Sequence, residues 1–146
     1  MSLLLVVHIL AAITALGANL TYAVWLRAAG TDRDRLVFVI HTVRLLDSRI
    51  ANPAYIVVLL TGIGMVLIGA YSFTTGWILA AIGLYVAVAV IGIAAFAPAM
   101  RRQLAEAERD PASDVYRRAA GRTTALGLLT IALVLLIVVL MVTKPF

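Results

Sequence analysis

The groups in this chain that could do chemistry are few: two histidines, four methionines, no cysteine, and a handful of polar residues set in long apolar runs. His8 stands in the first of those runs. A neutral imidazole on a helix can ligate haem iron or copper, and it can equally serve as an interhelical hydrogen bond near the headgroups. Met65 and Met141 each stand near the end of an apolar run that returns to the side of His8. His with Met is a known ligation of haem iron, and thioether with imidazole suits copper. The competing reading is a hydrogen-bonded structural histidine with methionines as core filler. His41 falls on a polar face beside Arg44 and reads as solvated. Asn19, Tyr22, Tyr85 and Asn52 are the other polar side chains within or at the edge of the apolar runs. A polar cavity joining those four would mark a carrier of a small solute or lipid.

The same count excludes several activities. No Asp, Glu, Lys or Arg lies central to an apolar run, which argues against a proton-coupled antiporter that exchanges through a buried carboxylate. No serine, acid and base constellation points to a hydrolase. The absence of Cys removes thiol nucleophiles, iron–sulfur clusters and Cys-ligated zinc. No residue is therefore assigned a catalytic role, and the chain reads as non-enzymatic.

The elements that must position these groups are membrane spans. Of 146 residues, 64% are hydrophobic and 13% charged, far from the usual ~45–50% and ~25% of a soluble domain. A spanning helix needs ~20 apolar residues because every backbone polar group must be paired within it. Such runs place four spans at 3–26, 54–70, 77–97 and 123–142, within one integral membrane domain over 1–146. The first run reads as a retained span rather than a secretory signal, since no Lys or Arg precedes it and it exceeds an h-region of ~7–15 residues. The expected fold is all-α, a polytopic four-helix bundle. Its partners are the lipid bilayer and either further copies of itself or a larger membrane complex.

The arginines set the orientation. Arg27, Arg33, Arg35, Arg44 and Arg49 flank the first connection, Arg101, Arg102, Arg109, Arg117, Arg118 and Arg122 the third, and the second has none. The positive-inside rule then puts the first and third connections in the cytoplasm and both termini outside, in the cytoplasmic (inner) membrane. The formal charge of +5 reflects this topology, and the acids interleaved among the arginines give no sign of nucleic-acid binding.

Both charged connections read as helical. Leu36, Val39, Val43, Leu46 and Ile50 form a stripe that makes 33–51 an amphipathic helix, opened by Thr31 and Asp34 as a capping box. It either lies in the interface or packs on the other connection; alternatively it is the first half of a long second helix broken at Asn52-Pro53. An ion pair between Arg44 and Asp47 is expected at the break. Residues 100–122 read as a helical hairpin, with an Arg102/Glu106 pair and Asp110-Pro111 as both stop and new N-cap. Ala11/Ala15, Gly62/Gly69, Gly83/Ala87 and Gly121/Ala125 supply small faces for helix packing.

With these features in place, the chain resembles a family of small bacterial predicted integral membrane proteins whose domain has no known function. The matching features are His8-Ile9-Leu10-Ala11-Ala12, Asn52-Pro53 through Thr61-Gly62-Ile63, Gly76-Trp77, Met100-Arg101-Arg102 and Lys144-Pro145, spread over the whole chain. That resemblance implies fold and location. More distantly, the first-helix histidine and the Trp opening the third span are similar to copper-resistance D-type membrane proteins and to the small membrane-type protoporphyrinogen oxidase, a haem-binding protein. The oxidase pattern has a functional lysine shortly after that Trp. Here Ile78, Leu79, Ala80 and Ala81 follow Trp77, so only His8 carries over.

Three readings stand on the sequence. The first is a non-enzymatic accessory or assembly subunit, or a homo-oligomeric bundle. The second is a haem b or copper-binding redox or handling protein using His8, with Met65 or Met141 as second ligand. The third is a small solute or lipid transporter.

Overall fold

The computed structural model describes residues 2–69 and 71–145, so Met1, Phe146 and Ala70, the last residue of the expected second span, lie outside the described residues. Helix α1 (Ser2–Ala29) is the first span. It ends where Gly30 adopts φ +63°, a left-handed conformation that costs glycine little. Helix α2 (Arg33–Leu46) then begins at Asp32, whose carboxylate accepts from the Arg35 backbone N–H at 2.8 Å. Asp32 is therefore the cap where Thr31 was expected, because Asp also ranks among the best N-cap side chains and stands next to the first helical residue.

Helix α2 runs through one π turn, Asp47–Ala51, directly into α3 (Asn52–Leu67), making a single 35-residue helix. Of the alternatives left by the sequence, the long interrupted helix is the one observed, and its α2 portion packs on α5. Pro53 gives the reason for the wide turn. Proline lacks the N–H for a regular helical bond and its ring presses on the carbonyl four residues back, and widening the preceding turn relieves both. The same device recurs: α4 (Gly76–Ile91) passes through a π turn, Gly92–Phe96, into α5 (Ala97–Arg109), which carries Pro98 in its first turn.

Helix α6 (Asp114–Thr143) starts at Ser113, whose hydroxyl accepts from the Tyr116 N–H at 3.1 Å. Asp110 ends α5 and holds the intervening turn by accepting from the Ala112 N–H, so stop and cap are two residues rather than one. Two expected ion pairs also differ. Glu106 approaches Arg109 at 3.9 Å in place of Arg102, and Asp47 accepts from Asn52 Nδ2 at 3.4 Å in place of pairing with Arg44. The second change follows from the π turn, which brings residues i and i+5 into register.

Four helices are thus long and apolar enough to cross a membrane: Ser2–Ala29, Arg33–Leu67, Gly76–Arg109 and Asp114–Thr143. They pair unequally. α1 lies along α3, and α4 lies along α6, while no Cα atoms of α3 and α4 approach within 8 Å. The two pairs are joined where α2 packs on α5 at the arginine-rich end and where α1 meets α6. The main hydrophobic core sits at that end. It comprises Tyr22, Ala29, Leu36, Val39, Ile40, Val43, Met100, Leu104, Ala107 and Tyr116. Arg33 ties the layer down by donating Nε–H to the Glu108 carbonyl at 2.8 Å, one of the acceptors left free at the end of α5.

Elsewhere the helices show apolar side chains outward, as a bilayer requires: Leu3 and Ile93 are 77% exposed and Val142 is 75% exposed. Small residues do bring helices together, though not all those anticipated. A Cβ on Gly62 would lie 3.4 Å from His8 Cε1, and one on Gly64 would lie 3.3 Å from Leu4 Cδ2. A Cβ on Gly69, Gly83 or Gly121 would meet nothing within 4 Å, so these three glycines make no close helix contact within the chain.

Candidate functional site

Two cavities fill the space that the unequal pairing leaves between the helix pairs. One, of about 410 Å³, lies in the half away from the arginines and is lined almost wholly by apolar side chains. His8, Met65 and Met141 all border it, together with Trp77 and Tyr71. The structure therefore brings the three sequence-derived ligand candidates to one place. Met65 is buried and His8 and Met141 are half-buried.

The state of His8 follows from its neighbour. Thr61 Oγ1 lies 2.6 Å from the Val57 carbonyl and 3.1 Å from that of Val58, so its single hydrogen is committed to the backbone of its own helix. Thr61 Oγ1 also lies 2.9 Å from His8 Nδ1. With no hydrogen left to give in that direction, Thr61 accepts and His8 Nδ1–H donates. That arrangement favours the Nδ1–H tautomer of the neutral imidazole, which leaves Nε2 its lone pair. The close approach of α1 to Gly62 holds the ring edge against α3.

Lys144 takes φ +46°, an uncommon left-handed backbone for a side-chain-bearing residue, and ends α6. Its Nζ lies 3.1 Å from Tyr71 Oη and 5.7 Å from the centre of the Trp77 ring, and Tyr71 and Trp77 meet edge to face at 5.3 Å. His41, by contrast, is exposed at the arginine-rich end, 4.0 Å from Glu108, and has no part in the site. Among the described residues no three His, Cys, Asp or Glu side chains cluster as a metal site would require.

The second cavity, about 480 Å³, occupies the arginine-rich half. Asn19, Tyr22, Asn52 and Tyr85 all line it, so the four polar residues singled out in the sequence also converge. Tyr55, which sequence reasoning missed, and Asp47, singled out there as the partner of Arg44, complete the wall. Tyr55 accepts from Asn19 Nδ2 at 2.6 Å, and its backbone carbonyl accepts from Tyr85 Oη at 3.0 Å, which spans the gap between α3 and α4. Asp47 joins through Asn52. The signal for Tyr55 was its i, i+3 spacing from Asn52, matching that of Asn19 and Tyr22. Tyr55, Tyr85 and Val88 border both cavities and form the partition between them.

A family model described as "Predicted integral membrane protein (DUF2269)" matches residues 2–145. The chain belongs to that family. No curated protein and no solved structure matches it. Membership accounts for the long apolar helices and for a surface that would contact lipid, and the family description assigns no activity.

Proposed function

We propose that this family member is a cofactor-binding membrane protein whose apolar cavity would hold haem b, with His8 as an iron ligand and Met65 or Met141 as the second. The observation that carries the reading is the 2.9 Å contact between His8 Nδ1 and Thr61 Oγ1. A metal-ligating histidine characteristically donates its other ring N–H to a fixed acceptor, and Thr61 supplies one. The surroundings fit the group as well. A cavity of about 410 Å³ with predominantly apolar walls suits a flat organic cofactor better than a bare ion, and lies in the usual range for ligand sites. Lys144 stands beside Tyr71 and Trp77, two of the cavity's lining residues, and would offer a cation to carboxylates of such a cofactor. Bound haem supplies one-electron redox chemistry. The chain's own residues orient the imidazole, exclude water and offer thioether sulfur.

Copper is a second reading, favoured by one imidazole and two thioethers lining the same cavity, a donor set that suits Cu(I). The accessory-subunit and homo-oligomer readings remain the outcome if no cofactor is found. In this proposal the arginine-rich end faces the cytoplasm of the inner membrane, and the end carrying Ser2, the 71–76 loop and Lys144 faces outward, by the positive-inside rule. Strong external labelling of an Arg109→Cys variant would reverse that orientation.

The deciding experiment is the visible spectrum of protein purified in mild detergent from haem-replete cells, oxidised and dithionite-reduced, with metal analysis beside it. A Soret band with reducible α and β bands, lost in His8→Ala, is expected. Stoichiometric copper without a Soret band selects the second reading. A colourless, metal-free protein sinks both.

A further inference from the structure

Arginines and acids interleave along the sequence, yet the fold sorts them by depth. The ends of the four long helices away from the arginines are level: a Cβ on Gly64 would meet Leu4 at 3.3 Å, and Lys144 Nζ lies 5.7 Å from the centre of the Trp77 ring. Counted from those ends at about 1.5 Å per residue, Arg49 falls at about 27 Å, Arg122 at about 32 Å, and Arg27, Arg101, Arg102 and Arg118 at about 38–39 Å. A bilayer has ~30 Å of hydrocarbon and ~40–45 Å with both headgroup layers. These arginines, drawn from all four long helices, therefore stand within a side chain's reach of one headgroup layer.

The acids lie elsewhere. Asp47 is the one acid at that depth, and Asn52 Nδ2 donates to it at 3.4 Å. The rest begin at about 44 Å, with Asp114, and continue outward to the connecting turns. Among the described residues only Arg109 and Arg117 come within 4.0 Å of a carboxylate, so the six arginines of the headgroup layer have no acid partner, and all six are exposed. Arg118 and Arg122 stand four residues apart, on adjacent turns of one face of α6. A guanidinium is a rigid fork of donors that matches the oxygens of a phosphate, and basic side chains held at this level attract anionic headgroups.

We propose that this end of the bundle is a binding belt for anionic phospholipids, in which Arg118 and Arg122 hold one headgroup phosphate between them. The excess of positive charge selects lipids of net negative charge over zwitterionic ones, whose own cation would sit against the arginines. At the opposite end Lys144 is the only charged side chain among the described residues, so no second belt forms there. The belt stands independently of what His8 holds.

The test is native mass spectrometry of the full chain in mild detergent, titrated with dioleoyl-phosphatidylglycerol and, separately, with dioleoyl-phosphatidylcholine. Phosphatidylglycerol is expected to bind with the higher affinity. The double variant Arg118→Gln/Arg122→Gln is expected to weaken it about 25-fold, about fivefold for each basic residue removed near an anionic group. Its phosphatidylcholine affinity stays at the wild-type value, and Lys144→Gln leaves both lipids unaffected. The proposal is overturned by equal affinity for the two lipids, by wild-type phosphatidylglycerol binding in the double variant, or by displacement of the lipid with millimolar inorganic phosphate, which would identify a soluble anion as the occupant.

Discussion

A single hydroxyl hydrogen decides the chemistry available to His8. Thr61 spends it on the Val57 carbonyl and so can only accept from the imidazole. Thr61→Val keeps the shape and removes the acceptor, leaving the ring free to rotate and to change tautomer. Haem affinity, read by titrating the cofactor-free protein, is expected to fall about 10–100-fold, the usual cost of losing an outer partner of a ligating histidine. Thr61→Ser should restore most of it. An unchanged affinity would mean that the ring is held by packing on Gly62 alone. His8 itself was legible in the sequence, because an ionisable residue in an apolar run stands out against its background. Thr61 was not, because a threonine that bonds back to its own helix looks inert until α1 is known to lie along α3. Tyr55 escaped for a related reason: its partners Asn19 and Tyr85 come from two other helices.

The helices show where local signals suffice and where they do not. Asn52-Pro53 announced an interruption, and the stripe from Leu36 to Val43 announced a packed face; together they give the 35-residue helix once continuity across the π turn is known. That continuity was illegible, since a π turn and a true break share the same proline signal. The turn also sets the rotation of α2 relative to α3. Inserting one alanine after Leu46, with the π turn kept, would turn the stripe by about 100° away from α5, exposing Leu36, Ile40 and Val43. We expect a severely destabilised protein by thermal unfolding in detergent, while Leu60→Ala, on an exposed face of α3, stays near wild type. The glycines give the converse case. Gly83→Ala and Gly121→Ala meet nothing within 4 Å, so each should stabilise its helix by about 0.5–1 kcal/mol. A loss of stability that depends on protein concentration would instead place these small faces in contact between copies of the chain.

Over the whole molecule, stability is concentrated where water is present. In lipid no hydrophobic force draws helices together, whereas at the arginine-rich end burial of Leu36, Ile40, Val43 and Leu104 removes apolar surface from water. The sequence could not show this division, because side chains facing lipid, cavity and neighbouring helix are equally apolar, and the absence of charge from Ile50 to Met100 erases any face. The consequence is an uneven unfolding. Ile40 is fully buried, so Ile40→Ala should cost about 2–5 kcal/mol in denaturation from mixed micelles. Leu67→Ala, 73% exposed at the other end, should cost under about 0.5 kcal/mol. Similar losses at both sites would show that the membrane halves carry as much of the fold as the core does. If the asymmetry holds, the two helix pairs are clamped at one end and free to part at the other. The cavities between them can then admit a bulky ligand from the bilayer without the core having to open.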